Sequence, residues 1–187
     1  MKRMRLDQLV VSRGLAESRE RAQRLILAGE VFVDGHPHTK AGQSIPMTAT
    51  ITLAARPRFV SRGGEKLEGA FAAFPLAVEG FDSIDVGAST GGFTDCLLQH
   101  GAARVIALDV GHGQIHPRIA ADPRVHVIER YNARNLRPRD LPYPPRFATV
   151  DVSFISLRLI LPPLAHLLPE GGEIVTLIKP QFEAGRA

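Results

Sequence analysis

The sequence predicts a doubly wound α/β domain preceded by a small α+β unit. A strand, a glycine-rich loop, a helix and a second strand follow one another from Ser83 to Asp109, the pattern that opens an open parallel sheet. Further apolar runs at 125–129, 147–151 and 173–178 are each followed by polar or charged residues, as strands feeding a ligand crevice are. The first 60 residues have a different character, with a formal charge of +5 against −1 for the remainder. The expected division is 1–54 for the small unit, 55–61 for a linker and 62–187 for the larger domain.

Composition bounds the alternatives. In 187 residues the hydrophobic fraction is 44% and the charged fraction 22%, which suits a globular chain with a real core. No run approaches the length of a membrane span, and the basic start MKRMRLDQLV lacks the apolar core of a signal peptide. The one cysteine, Cys96, has no internal partner for a disulfide and fits a reducing compartment. A cytoplasmic monomer without a membrane partner is expected. His112, His116 and Cys96 do not make a metal-ligand set, so no metal is expected.

In the small unit, Leu6, Leu9 and Val10 share a helical face and Gly14 stops that helix. Ser18 caps a second helix whose apolar face is Ala22, Leu25 and Ile26, and Gly29 ends it. Val31-Phe32-Val33 is extended and Asp34-Gly35 is a strong hairpin turn. Extended stretches near Ile45 and at 50–53 complete a small sheet. These residues, Arg5-Leu6-Asp7 through Val31–Gly35, resemble the S-four-type RNA-binding domain over residues 5 to about 50. The resemblance implies a helix and hairpin that present basic side chains to structured RNA. Arg5, Arg13, Arg19, Arg21, Arg24 and Lys40 are then the candidate phosphate contacts. Such contacts reward charge placement, so binding should be salt-sensitive and led by shape.

In the larger domain, Arg62-Gly63-Gly64 reads as a flexible turn, and a helix starts at Lys66 with Leu67, Ala70, Phe71 and Phe74 buried. A lysine at a helix start opposes the macrodipole, which hints at a role other than stability. The loop Asp85-Val86-Gly87-Ala88-Ser89-Thr90-Gly91-Gly92-Phe93 opens the next helix. Its glycines let a ligand approach the backbone, and Asp109, closing the following strand, suits the paired hydroxyls of a ribose. The loop is not the G-x-G-x-x-G of dinucleotide folds, and Asp85 would repel a pyrophosphate yet hold an ammonium. A cofactor with an amino acid at one end and a ribose at the other fits both features, which favours S-adenosylmethionine over NAD. Asp85, Gly87, Ala88, Ser89, Gly91, Gly92, Phe93 and Asp109 are the candidate cofactor residues, with Asn132 for an adenine edge.

Arg62–Gly64 with Lys66, Asp85–Gly92, Asp109 with Gly111, Asp151–Leu157 and Lys179–Glu183 are together similar to the TlyA (hemolysin A) family. That resemblance implies a Rossmann-like, FtsJ-like ribose methyltransferase joined to an S-four-type domain, acting on ribosomal RNA or ribosomal subunits. It also implies a Lys-Asp-Lys-Glu tetrad, of which Lys66, Asp151 and Lys179 match the first three members. A ribose 2′-hydroxyl is a poor nucleophile, so a positioned base and nearby positive charge are needed. The expected roles are Lys179 as base, with Lys66 and Asp151 positioning and tuning it. The family continues through two more strands and its glutamate, which this sequence lacks; Glu183 belongs to the Lys-Pro-Gln-Phe-Glu motif and is no substitute. The sheet is therefore expected to be truncated C-terminally, without the fourth member of the tetrad. The rival class is an RNA- or ribosome-binding protein without catalysis. A membrane-lysing role has no transmembrane segment or strongly amphipathic helix behind it.

Overall fold

The computed structural model describes residues 2–54 and 57–184. The chain divides at residue 56 into two compact units.

In the first unit, β1 (Arg3–Arg5) runs into α1 (Leu6–Ser12), and α2 (Arg19–Leu27) leads to β2 (Val31–Val33) and β3 (His36–His38). Two further strands, β4 (Ser44–Pro46) and β5 (Ile51–Leu53), complete it. Ser18 caps α2 as expected, its hydroxyl accepting from the Arg21 amide at 3.1 Å, which satisfies one of the unpaired donors of a helix start. The hairpin turn has Asp34 and Gly35 both at positive φ, 49° and 82°, the twist that a two-residue hairpin needs. Strand β2 is flanked by β3 and β5, while β1 pairs separately with β4, antiparallel in each case. Strand β1 was not legible in the sequence, since its three residues are polar, basic or half-buried. The apolar faces foreseen for both helices close the core, with Leu6, Val10, Ala22 and Ile26 fully buried.

The second unit is built on five parallel strands. Helix α3 (Arg62–Ala73) precedes β6 (Asp82–Val86), α4 (Gly92–Gln99), β7 (Arg104–Leu108), α5 (Pro117–Ala120) and β8 (Val125–Ile128). Then come β9 (Phe147–Val150), α6 (Leu161–Ala165), β10 (Glu173–Thr176) and α7 (Pro180–Glu183). The strand order β10-β9-β6-β7-β8 reverses direction at β6, so the topological switch lies between β6 and β9. A crevice opens there beyond the strand ends because the two connections leave on opposite faces. Central strands are apolar on both sides, Ile84, Val86, Ile106 and Val150 packing one layer and Val105 and Phe147 the other.

Two expectations change. Helix α3 begins at Arg62, capped by the Ser61 hydroxyl, so Arg62-Gly63-Gly64 is its first turn and Lys66 lies inside it. Glycine is needed there for contact: a Cβ on Gly64 would sit 2.2 Å from Phe59, and one on Gly92 2.9 Å from the Gly64 amide. The starts of α3 and α4 thus pack backbone to backbone. Phe74, expected in the core, is 62% exposed because it is the C-terminal cap, where the chain leaves the buried face.

The linker is also shorter than expected. Residues 55 and 56 lie outside the described residues, but Phe59 is buried and the Val60 amide donates to Asp95 at 2.8 Å, so this segment belongs to the second unit. Among the described residues no helix is long and apolar enough to cross a membrane.

Candidate functional site

The switch-point crevice holds two cavities that share Gly87, Ser89, Asp151 and Ser153. The larger, of about 500 Å³, has an apolar wall including Val86, Leu108 and Ile160, with Asp109, Tyr131 and Asn132 on its rim. The smaller, of about 240 Å³, is lined by the glycine loop together with Lys66, Asp151 and Lys179.

Strand geometry decides which predicted residues arrive. Asp151 follows β9 directly, its amide donating to the Val86 carbonyl at 3.0 Å, so its side chain emerges at the strand end beside Gly87. Lys66 reaches it from α3, Nζ to Oδ2 at 3.0 Å. Lys179 reaches it from the start of α7, Nζ to Oδ1 at 2.6 Å, and donates to Ser153 Oγ at 2.8 Å. One carboxylate therefore bridges two lysines that are 113 residues apart in sequence. Asp151 and Lys179 are largely buried, while the Lys66 side chain is about half exposed.

The glycine loop turns sharply, with Gly87 at φ 84° and Ser89 at φ 48°. Its first two amides, Gly87 and Ala88, donate to the Leu108 carbonyl. Asp109 braces it: Oδ2 accepts from the Ser89 amide at 2.8 Å and Oδ1 from the Gly111 amide at 2.6 Å. Gly87, Ala88, Ser89, Gly92, Phe93, Asp109 and Asn132 all line one cavity or the other.

Asp85 and Gly91 do not. Asp85 lies one residue before the end of β6, and its register partners are Ala107 and Thr149, so its side chain points into the sheet's helix-covered face. It is 0% exposed and accepts from Thr94 Oγ1 at 2.7 Å and Thr149 Oγ1 at 3.0 Å. Burial pushes its pKa up to about 6 against those hydrogen bonds, and the charge of Asp151 adds to the rise. Gly91 caps α4 at φ 88° and faces Ile119, where it shapes the loop from behind. Both are supports of the site rather than walls of it.

Three residues escaped the sequence reading. Ser153 sits two places after Asp151, a pattern that could have flagged it, and orients Lys179. Ser61 lines the smaller cavity while capping α3. Phe154 is 91% exposed at φ 63°, and its ring meets that of Phe182 at 5.3 Å on the rim of the larger cavity. Glu183 anchors this loop, accepting from Ser156 Oγ at 2.7 Å and the Leu157 amide at 2.8 Å.

In the first unit the basic residues separate into groups. Arg5 and Arg19 converge on Asp7, at 3.2 and 2.9 Å, and Arg5 lies flat against Gly42 in the turn that follows Lys40. Asp7 is fully buried; burial alone would raise its pKa, but the hydrogen bonds of Arg5, Gln23 and Arg19 hold the carboxyl well below the usual range. Arg21 and Arg24 line a separate shallow groove with Glu17 and Glu30. Arg13 donates to the Met47 carbonyl at 2.8 Å.

The donor set suits a nucleoside-bearing ligand. The larger cavity has the size of a small-ligand pocket, is mainly apolar, and carries the Asp109 carboxylate after β7 in addition to the shared Asp151, which suits an adenosine with a free ribose. The smaller cavity, with two cations and one anion, suits a polar reacting group.

Residues 59–187 match the FtsJ-like methyltransferase family and residues 4–50 match the S4 domain. The chain is 51% identical to YqxC of Bacillus subtilis over 99% of its own length and 66% of that protein's. It is 46% identical to the 16S/23S rRNA (cytidine-2'-O)-methyltransferase TlyA of Mycobacterium tuberculosis, covering 99% of this chain and 70% of that one. A solved structure described as a hemolysin from Streptococcus thermophilus superposes with a TM-score of 0.70 at 49% identity, covering 100% of this chain and 69% of that chain. The chain thus spans about two thirds of the length of these relatives.

Proposed function

The chain belongs to the FtsJ-like methyltransferase family, and from that membership we propose that it is an S-adenosylmethionine-dependent ribose 2′-O-methyltransferase of ribosomal RNA. The observation that carries the chemistry is the Lys66–Asp151–Lys179 bridge beside the glycine loop. S-adenosylmethionine, when bound, supplies a methyl group made electrophilic by its sulfonium. Gly87, Ser89 and the wall around Leu108, Asp109 and Asn132 would hold it, with the Asp109 carboxylate toward the ribose.

The protein's own task is to make a hydroxyl nucleophilic. Lys179 is placed to take the 2′-hydroxyl proton, and Ser153 and Asp151 fix where its nitrogen points. Lys66 keeps a positive charge beside the oxygen as negative charge develops on it, and Asp151 stops the two lysines from splaying apart. Phe154, with its ring in solvent at the cavity rim, offers a face on which an unstacked base can rest. The S4 unit adds phosphate contacts through Arg5, Arg13, Arg19, Arg21, Arg24 and Lys40, of which Arg21 and Arg24 are not drawn into the Asp7 cluster. The relative named as a 16S/23S rRNA 2′-O-methyltransferase supports ribosomal RNA as the substrate.

The test is transfer of labelled methyl from S-adenosylmethionine to undermethylated ribosomal subunits, read as protection of one phosphodiester from alkali. The Lys179→Met variant should bind S-adenosylmethionine as the native chain does and lose at least a hundredfold in transfer. Native turnover in that variant would remove Lys179 from the reaction. RNA binding by the native chain with no S-adenosylmethionine binding would overturn the enzyme in favour of a noncatalytic RNA-binding protein.

A further inference from the structure

A second cluster of reactive side chains lies on the seam between α3 and α4, outside the proposed active site. Glu68 is two positions from Lys66 on α3, so the two side chains leave nearly opposite faces of that helix. Cys96, within α4, and His100, its C-terminal cap, are four apart and share one face of it. The ligand-type atoms of Glu68, Cys96 and His100 all lie within 4.8 Å of one another.

Glu68 Oε2 is the meeting point. His100 Nε2 stands 2.7 Å from it, and the Cys96 thiol donates to it at 3.8 Å. We propose that Glu68, Cys96 and His100 bind a divalent cation of the zinc class, a site that goes beyond the methyltransferase reading. Tetrahedral zinc with thiolate, imidazole and carboxylate ligands sets their atoms about 3.3–3.6 Å apart, so the carboxylate and imidazole need to open by about 0.6 Å while the sulfur closes by about 0.3 Å on the carboxylate and by up to about 1.2 Å on the imidazole.

The surroundings supply what such a site requires. The remaining carboxylate oxygen, Glu68 Oε1, keeps its ion pair with Arg58 at 2.5 Å, an outer contact that fixes the ligand's orientation. The Phe71 ring stacks on the imidazole with centroids 4.0 Å apart and holds its plane. Glu68 and His100 are each a little over a quarter exposed, which leaves an approach for the ion and for a water as fourth ligand. One carboxylate and one thiolate neutralise a doubly charged ion. Without it, the thiol keeps its proton and donates to Glu68 Oε2. Binding therefore exchanges the S–H bond for an S–metal bond and releases one proton to solvent.

Cobalt(II) is the probe, titrated into the full chain after treatment with a chelator. The expected result is one ion per chain at micromolar affinity or tighter, with the near-ultraviolet band of thiolate-to-cobalt charge transfer and visible bands of a tetrahedral ion. Zinc should displace the cobalt, and one proton per ion should be released in weak buffer. Cys96→Ser should abolish the charge-transfer band, while Glu68→Gln and His100→Ala should weaken binding at least tenfold. Should Cys96→Ser fail to fold, zinc should still raise the native chain's Tm and raise that of His100→Ala by less. A band that survives Cys96→Ser, or binding only in the millimolar range, would overturn the site and leave an ordinary hydrogen-bond cluster.

Discussion

Replacing Gly87 by alanine should damage the second unit both by backbone strain and by overpacking. Gly87 has φ 84°, a conformation that costs an L-residue about 1–2 kcal/mol. Its new Cβ would lie 2.5 Å from the Asp151 carbonyl oxygen and 3.2 Å from Val152 Cγ1. Ordinary contact needs roughly 0.8 Å more than the first distance, and both neighbours are held by the β6–β9 pairing, so overpacking adds about 1–3 kcal/mol. The sum, about 3 kcal/mol, corresponds to a fall in Tm of about 6–12 °C for a chain of this size. Displacing Asp151 also disturbs the bridge between Lys66 and Lys179, so methyl transfer should fall by about a hundredfold in whatever fraction remains folded. Thermal unfolding by circular dichroism and the transfer assay read the two effects separately. Gly69→Ala is the control: a Cβ there meets nothing within 4 Å in the middle of α3. It should stabilise by about 0.5–1 kcal/mol. A Gly87→Ala variant with native Tm and native transfer would refute the reasoning.

Asp85→Asn should change the pH dependence of stability. An acid with its folded pKa raised to about 6 keeps a proton that the unfolded chain releases near pH 4, so native stability falls as pH rises through that window and is level above it. At two pH units the effect is at most about 3 kcal/mol. The Asn variant should gain in Tm relative to the native chain between about pH 4.5 and 7; parallel profiles would show that the carboxyl does not titrate there. Asp7→Asn should cost the S4 unit about 2–3 kcal/mol, since it removes the charge and one of the two acceptor oxygens that two guanidinium groups and Gln23 share. Because the folded pKa of Asp7 is depressed, its contribution is complete above about pH 4 and is lost as pH falls below that value. Urea unfolding of the native chain should show this acid loss and Asp7→Asn should not.

Local patterns made much of the fold legible. Ser18, Gly14 and Gly29 mark helix ends because capping is a matter of a few neighbouring residues, and Asp34-Gly35 marks its turn for the same reason. The parallel strands were readable as short apolar runs followed by polar or charged residues. Edges were less so: β1 has no apolar pattern, and α3 begins four residues before the lysine expected to start it. Arg62-Gly63-Gly64 looked like a free turn because the helix it packs against, α4, lies some 30 residues onward.

The family resemblance grouped Lys66, Asp151 and Lys179 as an expected set, and the glycine-rich pattern marked the loop from Gly87 to Phe93 as an expected ligand contact. Tertiary structure alone decided that one carboxylate lies between both lysines, since that needs α3, β9 and α7 to converge at the switch point. It also decided that Asp85 is a buried support. An acid one residue short of a strand end points to the opposite face from the residue after it, and only the strand's true end and its helix cover settle which of them meets the crevice.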